Sequence, residues 1–176
     1  MKSARLPSIV FAALAVLLYP SCTSAPTDAR IGVRTPDPAQ FPVVADLLVR
    51  RCGSLDCHGK LPRNLRMYGR YGLRLDPMNT PANPLTTPDE YDATFRSVVG
   101  LEPALMTAVV EKQSESTLLT IVRKARGTED HKGGMVFAIG DAADVCLASW
   151  LSTTEAGKGS INADACKKAS ELAKTQ

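Results

Sequence analysis

The stretch Arg51-Cys52-Gly53-Ser54-Leu55-Asp56-Cys57-His58-Gly59-Lys60 decides how this chain is interpreted. Four residues separate Cys52 from Cys57, and His58 follows the second cysteine directly. Two thiols can add across the vinyl groups of a haem, and an imidazole beside them can ligate its iron. The usual spacing has two residues between the cysteines, but four residues can bulge outward and still bring both sulfurs to one ring. The stretch therefore predicts covalent haem attachment.

Two other interpretations of these residues remain open. Cys52 and Cys57 could form a local disulfide closing a small loop, which an oxidising compartment permits. Cys52, Cys57, His58 and Cys146 also supply ligand types that suit zinc.

The first 21 residues have the pattern of a secretory signal peptide. Lys2 and Arg5 give a positive start, and residues 9–19 form an apolar run that ends at a proline. A membrane anchor is the alternative, although the run is short for a bilayer span. Residues 1–21 are therefore predicted to direct export to the periplasm or the outer cell surface.

Cys22 lies where a bacterial lipoprotein signal would be cleaved, so it is a candidate lipidation site that would tether the protein to a membrane. A plain cleaved signal is the alternative. Residues 22–37 are rich in Ser, Thr, Ala, Pro and Asp, which predicts a flexible linker before a domain spanning residues 38–176.

The chain has five cysteines, and export requires that each be oxidised, lipidated or bound to a cofactor. With Cys22 lipidated and the Cys52–Cys57 pair on a haem, Cys146 and Cys166 remain to form one disulfide. Two disulfides plus one lipid would account for the same number.

Charge argues against one class of partner. The chain has 21 basic and 18 acidic residues, and removal of residues 1–21 takes away two basic residues and no acidic ones. The mature protein is nearly neutral, so we expect no nucleic-acid partner.

Helix signals recur along residues 38–176, with long loops between them and little strand pattern. Phe41, Val44, Leu47 and Leu48 share one helical face that leads into Cys52. The N-terminal signals of the predicted helices are Asp37-Pro38, the Thr87–Glu90 capping box, Thr117, Asp141 and Asn162. Trp150 is expected to be a core anchor, and Met67, Met78 and Met106 to be packing or loop residues. The predicted fold class is all-α.

Four segments occur in the order found in c-type cytochromes, and residues 40–152 resemble most closely the haem domains of planctomycete-type exported proteins. The segments are the Cys-Cys-His stretch, Gly72-Leu73-Arg74-Leu75-Asp76, the Ser-x-x-Leu-Leu pattern within 114–119, and Lys132-Gly133-Gly134-Met135 before a helix ending Ser149-Trp150-Leu151. Val136 stands where the family usually has proline, and residues 77–113 form an insertion that is expected to lie as a flap over the core.

The resemblance implies a cytochrome c-like helical domain around one haem c, with an extra C-terminal helix. Cys52 and Cys57 would form the thioethers, His58 would be the proximal iron ligand, and Met135 the distal ligand. His131, four residues earlier, is the alternative distal ligand.

The expected function is single-electron transfer between redox partner proteins, not catalysis. A basic rim of Arg63, Arg66, Arg70, Arg123, Lys124 and Arg126 could meet an acidic partner, or could simply be a solvated face. One alternative is a cofactor-free, disulfide-stabilised lipoprotein that acts as a structural or interaction module. A haem peroxidase-like enzyme with an open iron position is another.

Overall fold

The computed structural model describes residues 32–80 and 84–174. The predicted signal peptide, Cys22 and the linker as far as residue 31 lie outside the described residues. One compact unit begins at Val33 and contains all of the helices described below.

The described residues form six α-helices and two short 3-10 turns, with no strand beyond one isolated bridge between Tyr68 and Leu73. This confirms the all-α class for that part of the chain. The α-helices are α1 (Phe41–Cys52), α2 (Pro88–Val99), α3 (Pro103–Val110), α4 (Thr120–Ala125), α5 (Ala142–Leu151) and α6 (Ala163–Ala173), and the 3-10 turns are Pro38–Gln40 and Ser116–Leu118.

Helix α1 is the centre of the domain, because it contacts α2, α5 and α6. The predicted apolar face is confirmed, since Phe41, Val44, Leu47 and Leu48 are all at most 2% exposed. Such complete burial of large apolar side chains stabilises a helix by roughly 1.5–3 kcal/mol for each side chain. The helix is therefore anchored in the core from Phe41 to Val49.

Trp150 fixes α5 against the start of α1. Its ring lies 4.7 Å from Phe41 and 6.2 Å from Phe95 between centroids, and its indole N–H donates to the Asp37 carbonyl at 3.0 Å. The side chain is fully buried, which confirms the expected core role. Met67 and Met106 are likewise buried, whereas Met78 is 85% exposed.

The local capping signals are confirmed where the structure describes them. Thr87 and Glu90 form a reciprocal capping box at α2, while Asp141 and Asn162 cap α5 and α6. Asp37 also acts as a cap, but it begins the 3-10 turn, and α1 starts only at Phe41.

The single helix predicted from Thr117 is wrong, because Leu119 has an extended backbone that separates the 3-10 turn from α4. The carboxylate of Glu102 explains the break. It accepts hydrogen bonds from the Thr120 backbone N–H at 2.6 Å and the Thr120 hydroxyl at 2.9 Å, so it caps α4 from the start of α3.

The segment 77–113 contributes to the core instead of only covering it. Val98, Val99, Met106 and Val109 from α2 and α3 belong to the main cluster of buried side chains. The Gly72–Asp76 segment is attached to α2 by a buried ion pair, in which the Arg74 guanidinium donates to the Glu90 carboxylate at 2.7 Å and 3.1 Å. Burial alone would raise the pKa of Glu90, but hydrogen bonds from Arg74 and two backbone N–H groups lower it overall.

The last residues of the predicted linker are attached to the domain. The backbone N–H of Arg34 donates to the Thr107 hydroxyl at 3.0 Å, and that of Asp37 donates to the Thr153 hydroxyl at 2.9 Å. The Thr35 carbonyl accepts from Glu155 at 3.0 Å. The compact unit therefore includes residues 34–37, which the composition assigns to the linker. Composition alone does not reveal their distant threonine partners.

Cys146 and Cys166 are joined by a disulfide between α5 and α6. Helix α6 also packs on α1, and the Arg50 side chain donates to the Ala173 carbonyl at its end. Among the described residues, no single helix has the length and apolar character of a bilayer span, although α2 and α3 pass that test as a pair bent by 92°.

Replacement of both Cys146 and Cys166 by serine should lower the free energy of unfolding by about 3 kcal/mol, because the bond closes a loop across 20 residues of sequence. Urea unfolding of the two proteins measures the difference. A thiol reductant should destabilise the wild type by a similar amount and leave the double variant unchanged. Equal stability of the oxidised wild type and the variant would contradict the prediction.

Candidate functional site

Cys52 is the last residue of the central helix, and Gly53 ends that helix by donating its N–H to the Val49 carbonyl at 2.8 Å. A Cβ atom at residue 53 would lie only 2.3 Å from the same carbonyl oxygen. Glycine is therefore required there, and the chain can turn away immediately after Cys52.

The four residues between the cysteines form a closed turn. The His58 backbone N–H donates to the Cys52 carbonyl at 3.0 Å, and Cys57 and Gly59 both donate to the Ser54 carbonyl, at 2.9 Å and 3.0 Å. A Cβ atom on Gly59 would lie 2.2 Å from the Gly53 carbonyl oxygen, so the two ends of the turn are in close contact. The bulge thus brings Cys57 and His58 back to the end of α1.

The imidazole of His58 has a fixed orientation. Its Nδ1 lies 3.0 Å from the Leu65 carbonyl oxygen, which can only accept a hydrogen bond, so the neutral ring carries its proton on Nδ1. Nε2 then keeps a free lone pair, as a metal-ligating histidine requires. The His58 carbonyl accepts from the Met67 backbone N–H at 2.9 Å, which connects this ring to a buried residue.

Both thiols of the turn are free in the described part of the chain. Burial raises the pKa of Cys52 to about 12; the positive charge of Arg51 opposes this shift, while the neighbouring Cys57 adds to it. Cys52 is therefore a neutral thiol at physiological pH. The local disulfide is not the state shown here.

Met135 lies on the loop between α4 and α5, and this loop reaches the cysteine turn. Its side chain is 66% exposed. Together with Gly133 and Ser54 it lines an open cleft of about 520 Å³. Gly127 packs against the other side of Met135, since a Cβ there would lie 3.0 Å from the Met135 Cβ and the glycine has a φ of +68°.

Two contacts hold the chain just after Met135. The Val136 and Phe137 backbone N–H groups both donate to the Ala125 carbonyl, at 2.8 Å and 2.9 Å. The Arg51 guanidinium donates to the Val136 carbonyl at 2.7 Å. Arg51 precedes Cys52, so it links the methionine loop directly to the cysteine turn.

His131 lies on the same loop, four residues before Met135. Its pKa is lowered, first by burial and then by the positive charges of Lys124 and His58, against a smaller opposing effect of Glu129. A Cβ on Gly133 would lie 2.7 Å from the His131 Nε2, so that nitrogen is packed against backbone, and Nδ1 is buried with no hydrogen-bond partner among the described residues.

The structure places Cys52, Cys57 and His58 on one closed turn, and the loop that carries His131 and Met135 meets this turn at the cleft lined by Ser54, Gly133 and Met135. It does not add Cys146 to that group as a zinc ligand, because this sulfur is bonded to Cys166. No group of three His, Cys, Asp or Glu side chains in the described ranges could hold a metal ion. The zinc interpretation is therefore wrong for the ligand set proposed.

The predicted basic rim is partly neutralised. Arg123 and Lys124 both contact the Glu129 carboxylate at 2.7 Å, and Arg126 pairs with Asp144 at 2.6 Å. The half of the rim at the C-terminal end of α4 is therefore engaged within the domain and is less available to a partner.

Sequence reasoning missed Arg51 as a residue of the site. Its position beside Cys52 was visible, but its partner is a main-chain carbonyl 85 residues away. Every residue has a main-chain carbonyl, so residue types do not indicate which carbonyl is the partner, and only the folded chain reveals this contact.

No family model matches the chain, and neither a curated protein nor a solved structure is similar enough to be matched. The chemistry available at the site is therefore inferred from its side chains. They comprise two reduced thiols, an imidazole with a free Nε2 and an exposed thioether beside an open cleft.

In the protein without a bound cofactor, an alkylating reagent should modify Cys57 well before Cys52. The reason is that the thiolate is the reactive form and burial raises the pKa of Cys52 to about 12. Mass spectrometry after timed iodoacetamide treatment gives the order, and Cys52→Ser and Cys57→Ser variants identify each product. Both residues should react at similar rates in denaturant. Faster modification of Cys52 in the folded protein would contradict the geometry described.

Proposed function

We propose that this protein is an exported monohaem c-type cytochrome that transfers single electrons between redox partner proteins. The domain would be cytochrome c-like, with one haem c, and Cys22 would tether it to a membrane at the periplasm or cell surface. The observation that carries the proposal is the closed turn in which both cysteines accompany a His58 ring whose Nε2 is free.

The donor set fits covalent haem attachment. In each thioether bond, the sulfur of a thiol adds to one carbon of a vinyl double bond and the thiol hydrogen goes to the other. Both cysteines must therefore be reduced, as Cys52 and Cys57 are here. The turn supplies the two thiols and the imidazole from one short segment, which is the arrangement that such attachment needs.

The hydrogen bond to the Leu65 carbonyl is the second support. It selects the His58 tautomer that leaves Nε2 unprotonated, and it restrains rotation of the ring. An axial ligand held in this way would change little between oxidation states. The bound haem would supply the redox chemistry by carrying one electron on its iron.

Met135 is the better candidate for the distal ligand. Its thioether is exposed and lines the cleft with Ser54 of the cysteine turn. The His131 Nε2 instead packs on Gly133, so this ring would have to move before it could bind iron. A protein with both axial positions filled by its own residues favours electron transfer over peroxidase-type catalysis, which needs an open position.

Export and tethering are supported by the sequence of residues 1–22 alone. A compartment outside the cytosol also agrees with the Cys146–Cys166 disulfide, since such bonds persist mainly under oxidising conditions.

Co-expression of the full chain with haem-attachment machinery in an export-competent host should give a red protein whose haem remains bound after acid–acetone extraction and denaturing electrophoresis. Its mass should include one haem. Replacement of Cys52 or Cys57 by alanine should remove one thioether, and the double variant should have no covalent haem. The Cys146→Ser/Cys166→Ser protein is the matched control, because it also loses two cysteines. A wild-type product without haem mass would support the cofactor-free alternative.

Met135→Ala should remove the weak red absorbance band of a methionine–iron(III) bond and lower the reduction potential by on the order of 100 mV. Met78→Ala is the control, because Met78 is also an exposed loop methionine. His131→Ala should leave the band in place. If His131→Ala changes the spectrum and Met135→Ala does not, His131 is the distal ligand. An open iron position in the wild type would favour the enzyme alternative.

A further inference from the structure

We propose that Arg51 is a positioning residue that connects the Met135 loop to the cysteine turn and thereby positions Met135 as the proposed distal ligand. This role rests on the proposed function and adds to it a specific determinant of the distal ligand. The observation behind it is the hydrogen bond from the Arg51 guanidinium to the Val136 carbonyl at 2.7 Å.

The position of Arg51 in the chain gives this contact its consequence. Arg51 lies in the last turn of the central helix, one residue before Cys52. Val136 is one residue after Met135. A single side chain therefore spans from the residue beside one thioether cysteine to the residue beside the proposed distal ligand.

The other contacts of the loop at this point are main-chain hydrogen bonds and the packing of Gly127 on Met135. On the side away from Arg51, Val136 and Phe137 donate their N–H groups to the Ala125 carbonyl, and Phe137 is fully buried. On the other side of Met135 are Gly133 and Gly134, which have no side chains to pack. Val136 is thus held to α4 through its N–H and to α1 through its carbonyl.

The guanidinium of Arg51 has no carboxylate partner among the salt bridges of the described residues. The half-buried side chain donates instead to a neutral main-chain oxygen, and hydrogen bonds with a charged donor are stronger than those between neutral groups.

The neighbouring Arg50 provides a matched control. It carries the same charge on the same helical turn, but its side chain donates to the Ala173 carbonyl at the end of α6 and stacks on the Tyr71 ring, 4.5 Å from the centroid. Arg50→Gln and Arg51→Gln therefore remove the same charge, and only the second releases the methionine loop.

The experiment is titration of the haem-loaded full chain with imidazole, which competes with Met135 for the iron. Arg51→Gln should keep one covalent haem by mass but bind imidazole about tenfold more tightly than wild type, as the loss of one charge-assisted hydrogen bond implies. Its methionine–iron band should be lost at lower imidazole concentration. Arg50→Gln should titrate like the wild type.

Imidazole affinity in Arg51→Gln equal to that of the wild type, or an equal increase in Arg50→Gln, would overturn the role of Arg51. If Arg51→Gln does not accumulate, Arg51→Leu decides, because leucine has no hydrogen-bond donor to reach the Val136 carbonyl; its affinity for imidazole must then exceed that of the wild type. A wild-type chain without covalent haem is a different result, since it removes the proposed function itself and this role with it.

Discussion

Closure of the turn after α1 is the constraint on which the rest of the site depends. The Cys52 carbonyl belongs to a helix packed against three others, so its position is set by the core. The His58 N–H donates to this carbonyl, and the absence of side chains at Gly53 and Gly59 permits the approach. The position of His58 is therefore set by a helix of the hydrophobic core and not by a surface loop. The number of residues between the cysteines matters less than this closure, because the extra residues are accommodated in the bulge.

The two halves of the site are built in different ways. The cysteine turn depends on hydrogen bonds between residues close in sequence, which lie directly after the end of α1. The Met135 side depends on a chain segment more than 70 residues later, which is attached through the Ala125 carbonyl and the Arg51 guanidinium. The first half therefore depends on local main-chain geometry, whereas the second also depends on the side chain of Arg51. For the proposed electron carrier, this arrangement would keep the proximal ligand constant while the distal contact tunes the potential.

Sequence patterns predicted features whose causes are local. The caps at Thr87, Asp141 and Asn162 and the buried face of α1 were predictable, because each depends on residues within a few positions of one another. Features with distant causes were not. The break at Leu119 depends on Glu102, which lies on another helix, and the attachment of residues 34–37 depends on Thr107 and Thr153. At the site, the residue types were predictable from the Cys-Cys-His stretch, whereas the tautomer of His58 required the Leu65 carbonyl to be placed in space.

Met135 is an exposed apolar side chain at the edge of the cysteine turn. A methionine side chain that is 66% exposed leaves apolar surface in water, and the cleft beside it is lined by polar as well as apolar residues, Ser54 and Val136 among them. On the same loop, the buried Nδ1 of His131 has no hydrogen-bond partner in the described part of the chain. A flat apolar ring system attached at the cysteine turn would cover the thioether and fill the cleft. The same occupant would thus account for the reduced thiols, the free Nε2 of His58 and an apolar surface that the protein alone leaves uncovered.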